Sequence, residues 1–210
     1  INAKLNLKLF DVADWITAQP KKPNNQSFII DNCLTSYEET NNITKDFLSC
    51  EKKASGMAIS MISHYPDKPE LVSEMLNLAI EELSHYRDVI RIILEKKLEP
   101  ASDRKDEYVN RLHKEMDQGK DAYMLDRLLI ASIVEARGAE RFGLIADALP
   151  EGKLKNFYQA ITDSESRHYQ LFLKLAAYYF EEERISPRLA ILLDAEATII
   201  RSLPVGPALH

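Results

Sequence analysis

One pattern, written twice at nearly the same spacing, limits what this 210-residue chain folds into. Glu51 is followed 31 positions later by Glu82 and His85, and Glu135 is followed 30 positions later by Glu165 and His168. Each half is a single Glu and then a Glu-x-x-His. A helix turns about 100° per residue, so positions three and four apart share a face. Around Glu51 the apolar face runs through Phe47, Ala54, Ala58 and Met61. Around Glu82 and His85 it runs through Met75, Leu78, Val89 and Ile93. Leu128, Phe142 and Ile145 flank Glu135, and Tyr158, Ile161, Phe172 and Leu175 flank Glu165 and His168. All six polar residues stand where a Leu belongs in a buried stripe.

Burying an unpaired carboxylate is among the largest penalties in folding. A solvated helix face is the competing explanation for a run of acids, but these acids interrupt apolar faces that contain no Lys or Arg. Two divalent cations balance four carboxylates, with neutral imidazoles donating ring nitrogens. Four Glu and two His from four helices is the donor set with which four-helix carboxylate proteins hold two iron or two manganese ions. Small residues one turn further on, Ala54 and Ser55, Gly138 and Ala139, leave room either for a pocket or for close helix packing.

Long helical periodicities and only 6 Gly predict an all-α fold, a ferritin-like four-helix bundle with a crossover helix and additional terminal helices. The length suits a single domain over 1–210. Within it, 1–35 reads as an N-terminal arm with a short helical turn at Asp14–Ala18, Trp15 packing on the bundle. Residues 36–182 read as the di-metal core, and 186–203 as a C-terminal helix. The first helix starts between Ser36 and Asn42 and ends near Tyr65. Pro69 opens the second as a first-turn proline, and that helix runs to about Lys97. Asp103–Asp117 reads as the crossover, with Gly119 ending it and Asp121 capping the third bundle helix. The fourth spans Glu151 to about Glu182, and the last follows Ser186-Pro187. His64 suits a helix C-terminus, and His113 and His210 carry no assigned role. Tyr86 and Tyr169, each one residue past a candidate ligand His, read as core aromatics.

A net charge of −6 argues against a basic whole-molecule surface, though not against a local basic patch. Cys33 and Cys50 form no metal motif and suit a reducing cytoplasm. No apolar run reaches the roughly 20 residues a membrane span needs, and the start lacks a secretory layout.

Three segments resemble the MiaE-type tRNA hydroxylases: Glu135-Ala-Arg-Gly-Ala-Glu-Arg-Phe142, Ser164-Glu-Ser-Arg-His-Tyr169 and Cys50-Glu-Lys-Lys-Ala54. The likeness extends over roughly 42–200, and the arm before it does not match. It implies a non-haem di-iron monooxygenase with Glu51, Glu82, His85, Glu135, Glu165 and His168 as iron ligands. The implied reaction uses dioxygen and an external electron donor to hydroxylate the isopentenyl group of 2-methylthio-N6-isopentenyladenosine, beside a tRNA anticodon. A base in a single-stranded loop can be splayed into a pocket. The resemblance also makes Arg137, Arg141 and Arg167 candidate phosphate or base contacts. Arg137 and Arg167 stand about 200° round the helix from a ligand Glu, so ion pairing with Glu140, Asp163 or an acid of the last helix is the alternative. Manganese in place of iron, aldehyde deformylation, catalase activity and iron or peroxide handling stay open as other uses of the same donor set.

Overall fold

The computed structural model describes residues 37–100 and 105–203. Among them are α1 (Tyr37–His64), α2 (Pro69–Glu95), α3 (Glu107–Lys114), α4 (Lys120–Ala148), α5 (Lys153–Tyr179) and α6 (Glu182–Ser202). Two helix hairpins, α1–α2 and α4–α5, are joined by a crossover containing α3, and α6 closes against α3, α4 and α5. This is the ferritin-like arrangement the periodicity predicts. The arm, Trp15, Cys33 and the chain end lie outside the described residues.

Local chemistry sets most helix limits. Pro69 occupies the first turn of α2, where its missing N–H costs nothing. Asp106 caps α3 by accepting from the Val109 N–H at 3.0 Å, and Arg111, His113 and Lys114 fill its last turn, where positive charge suits the dipole. The helical part of the crossover is thus shorter than expected and stops well before Gly119. That glycine instead precedes α4 with φ +112°, a conformation that L side chains rarely adopt. Asp121 is not the cap but lies in the first turn of α4, where its charge still favours the helix N-terminus.

The last helix departs from the sequence expectation. It starts at Glu182, so Pro187 lies inside it, and α5 ends earlier, at Tyr179. Pro187 removes one bond, to the carbonyl of Glu183, and both residues are exposed, so water reaches that carbonyl. Burial of Ile185, Leu189, Leu192 and Leu193 offsets the loss, at about 1.5–3 kcal/mol for each fully buried side chain.

The core is divided. A large apolar cluster joins Ala58, Met75, Leu128 and Phe172, and a smaller one joins Phe47, Val89, Ile93, Phe142 and Tyr158. On α1, α2 and α5 the change from one cluster to the other falls at a residue of the repeated Glu/Glu-x-x-His pattern, and on α4 it falls just past Glu135, after Ala136. The hairpins also differ in how they meet. α2 packs on α5, whereas among the described residues no Cα of α1 comes within 8 Å of one in α4. Side chains bridge that seam at two places, Phe47 on Phe142 with ring centroids 4.5 Å apart and Arg127 Nη2 donating to Ser60 Oγ at 3.2 Å.

Candidate metal centre

The six residues converge between the two apolar clusters. Glu51, Glu82, Glu135, Glu165 and His168 are buried, and His85 is 15% exposed. They form two overlapping groups, Glu51, Glu82, His85, Glu165 and Glu82, Glu135, Glu165, His168. In each, one donor atom per residue lies within 4.8 Å of all the others. Glu82 and Glu165 belong to both groups. His85 Nδ1 is 3.3 Å from Glu51 Oε2 and 3.3 Å from Glu82 Oε2. His168 Nδ1 is 2.8 Å from Glu82 Oε1 and 3.9 Å from Glu165 Oε2.

Do these residues fit a metal pair? Glu51 Oε2, Glu82 Oε1 and His168 Nδ1 are buried without a well-aligned hydrogen bond, although His168 Nδ1 and Glu82 Oε1 lie in ion-pair contact at 2.8 Å. Buried polar atoms are nearly always satisfied, so three such atoms within one cluster of carboxylates fit a cation held among them. Oxygen and imidazole donors suit iron, manganese or zinc, with no thiolate among them. The cluster is consistent with a di-metal site.

Its electrostatics agree. Burial, and then the neighbouring Glu82, push the Glu51 carboxyl well above the usual range. Burial and Glu165 do the same to Glu135. Glu165 is pushed up to about 8, chiefly by burial. For Glu82 burial is outweighed by hydrogen bonds from Glu51, His168 and His85, which hold it below the usual range. His168 loses to burial but gains more from Glu82, reaching about 9. A site that draws a proton onto its imidazole and onto spare carboxylates lacks positive charge.

Above the carboxylates lies a cavity of about 410 Å³. Glu51, Glu82, Glu135 and Glu165 line one part of it. Its other walls include Ala54, Met57, Ile130, Val134 and Phe142, with Lys53, Lys105, Asp106, Asn110 and His113 among the polar lining residues. It occupies the seam between α1 and α4, between those two side-chain contacts, with α3 contributing a wall. The small residues now separate into the two uses. Ala54 and Gly138 line the cavity, whereas Ser55 Oγ donates to the Ala79 carbonyl at 3.0 Å and serves α1–α2 packing.

The three arginines sit differently. Arg137 is buried, forks onto Glu196 of α6 (Nη2 to Oε1 2.8 Å, Nε to Oε1 3.0 Å) and reaches Glu140 at 2.5 Å. Tyr108 of α3 donates to the same Glu196 at 3.1 Å. Arg141 is also buried, and burial and Arg137 lower its pKa. Arg167 is exposed and pairs with Glu81 at 2.8 Å. Arg137 therefore braces helices from within, as the ion-pair alternative had it, with an acid of the last helix.

Two residues escaped the sequence reading. Glu81 accepts from Ser164 Oγ at 2.6 Å and Arg167 at 2.8 Å, and its Oε2 is 3.3 Å from His168 Nε2. Beside Glu82 it reads as one more helix acid, and only its distance from Ser164, 83 positions, matches the repeat. His113 lines the cavity, and nothing in its sequence neighbourhood signals that. Tyr169 packs in the larger apolar cluster and Tyr86 against the smaller one.

Two helix hairpins around a buried carboxylate–histidine cluster define a ferritin-like protein with a candidate di-metal centre. Comparison with known proteins narrows the class. The model of the family described as tRNA-(MS[2]IO[6]A)-hydroxylase (MiaE) matches residues 21–210, and the chain belongs to that family. It is 34% identical over 159 residues to a tRNA 2-(methylsulfanyl)-N(6)-isopentenyladenosine(37) hydroxylase of Pseudomonas putida, covering 75% of this chain and 76% of the relative. A hydroxylase of the same name from Salmonella typhimurium is 30% identical over 157 residues, covering 75% of this chain and 57% of that protein. Among solved structures, a Synechococcus protein with aldehyde deformylating oxygenase activity superposes with TM-score 0.75 at 30% identity, over 81% of this chain and 87% of the other.

Proposed function

We propose that the chain is a dioxygen-dependent di-iron monooxygenase that hydroxylates the isopentenyl group of 2-methylthio-N6-isopentenyladenosine beside a tRNA anticodon. Family membership supports the reaction class, and the named relatives support the substrate. The observation that carries the reading is the apolar cavity with four carboxylates on its lining. An isopentenyl group is a five-carbon apolar branch, and a C–H bond of that kind gives acid–base chemistry no hold. Iron held by Glu51, Glu82, His85, Glu135, Glu165 and His168 would supply oxygen activation. The net change is one oxygen atom into the C–H bond and one reduced to water by two electrons and two protons, the electrons arriving from an external donor.

The chain's own residues do the rest. Met57, Ile130, Val134 and Phe142 exclude water and hold the branch against the carboxylates. Gly138 keeps the approach open. A side chain there starts in ordinary contact with Glu165 and Phe142, at 3.7–3.8 Å, and anything longer grows into the cavity. Lys53, Lys105, Asp106 and Asn110 are polar groups of the lining suited to the base and its backbone.

The test is nucleoside analysis of tRNA from a strain lacking the modification, before and after incubation with reduced, iron-loaded protein and dioxygen. About two iron atoms per chain and conversion of the isopentenylated nucleoside are expected. Unchanged tRNA with turnover of a fatty aldehyde would instead favour a second reading, deformylation, which the Synechococcus likeness supports.

A further inference from the structure

The repeat is not faithful at one position, and the structure shows where it breaks. The pairs Glu82/Glu165 and His85/His168 are offset by 83 residues, and the same offset relates Glu81 to Ser164. These two equivalent positions touch, with Ser164 Oγ donating to Glu81 Oε1 at 2.6 Å. A pseudo-twofold arrangement that brings two side chains this close accommodates one carboxylate; two would repel. The chain places that carboxylate opposite His168. Glu81 Oε2 stands 3.3 Å from His168 Nε2, with Ser164 Oγ 3.4 Å from the same nitrogen, while His168 Nδ1 faces Glu82 and Glu165. Arg167 Nη2 fixes Glu81 from the outer side at 2.8 Å. At the equivalent of Arg167 the first half has Ser84, which accepts from Arg87. Among the described residues, the carboxylates within ion-pair distance of His85 are Glu51 and Glu82, both facing its Nδ1. Among these residues His85 has no counterpart of Glu81.

We infer that Glu81 is a positioning residue that fixes the tautomer and orientation of His168 and thereby makes the two metal positions of the centre unequal. The inference rests on the di-metal reading of the cluster. A carboxylate accepting the Nε2 proton leaves the Nδ1 lone pair directed at the carboxylates and makes it a more basic donor. The position built on Glu135 and His168 is then the tighter one. The position built on Glu51 and His85 has a partly exposed imidazole without that backing and is the more labile. Arg167 acts through Glu81, which gives this arginine a role at the centre rather than on substrate.

Anaerobic titration with Co(II), read by its ligand-field absorption, tests this. The wild-type chain should fill in two steps of unequal affinity. Glu81→Gln should weaken one step by about 10–100-fold and leave the other unchanged. That step should be the one His168→Ala abolishes and His85→Ala spares. Arg167→Gln keeps the carboxylate and removes its brace, at a site exposed enough that folding is not at stake. It should weaken the same step by a smaller factor. The inference is overturned if Glu81→Gln and Arg167→Gln leave both steps as in the wild type, or weaken both equally. A wild-type chain that binds no Co(II), Fe(II) or Mn(II) overturns the di-metal reading itself, and this inference with it.

Discussion

Charge at single residues decides how the metal-free protein behaves. Glu165, raised from 4.5 to about 8, and His168, raised from 6.5 to about 9, both bind protons more readily folded than unfolded. Their stabilisation is fully present below the unfolded values and is lost as pH rises through the folded ones. Glu82 and Glu81, held low, act oppositely, but only at acidic pH. The melting temperature of metal-free protein should therefore fall as pH is raised from about 5 to 9; a flat or rising profile contradicts the assignment. Glu135→Gln removes an acid that burial and Glu165 already disfavour as an anion. At pH 8 the metal-free variant should melt at or above the wild type while losing metal affinity. A clearly lower melting point would make Glu135 a structural partner instead. In the cavity wall, Gly138→Ala should fold and turn over normally, whereas Gly138→Leu should raise KM for the isopentenylated substrate with little change in stability.

At the scale of elements, periodicity and punctuation made the four long helices legible, because Pro69 and the apolar stripes act locally. Limits set by tertiary packing were not legible. Pro187 reads as a start, yet burial of Ile185 and Leu189 carries α6 past it. The candidate site was legible because buried acids at helical spacing contradict their surroundings. Glu81 was not, since an acid on a helix contradicts nothing until its neighbours are known. Arg137 was half legible, its direction following from the helix turn but its partner only from the position of α6. That partner gives a further expectation. Glu196 is fully buried and holds α3, α4 and α6 together through Tyr108 and Arg137. Glu196→Ala leaves buried Arg137 with Glu140 alone and Tyr108 without its acceptor, and should cost about 3 kcal/mol in urea unfolding, and Tyr108→Phe only about 1 kcal/mol. If Glu196→Ala costs under about 1 kcal/mol, the brace does not hold these helices.

For the whole molecule, among the described residues the backbones of the two hairpins approach one another only between α2 and α5, and the cavity lies in the opposite seam. No helix of the described residues is long and apolar enough to cross a membrane. Each hairpin buries local contacts within itself, whereas every donor group requires both. Metal should therefore raise the melting temperature of the full chain and flatten its pH profile, because bound ions replace the protons that Glu165 and His168 otherwise take. Unchanged melting on saturation with Fe(II) would mean that the ions contribute nothing to cohesion between the hairpins.

The division of the site between two hairpins also orders how the protein is made. The α1–α2 hairpin carries Glu51, Glu82 and His85, and the α4–α5 hairpin carries Glu135, Glu165 and His168. A nascent chain with only its first hairpin offers half a donor set, and no pocket lies beside it until α4 arrives. Capture of a reactive ion is thus deferred until synthesis has passed the second hairpin. An unfinished polypeptide therefore holds neither complete donor group.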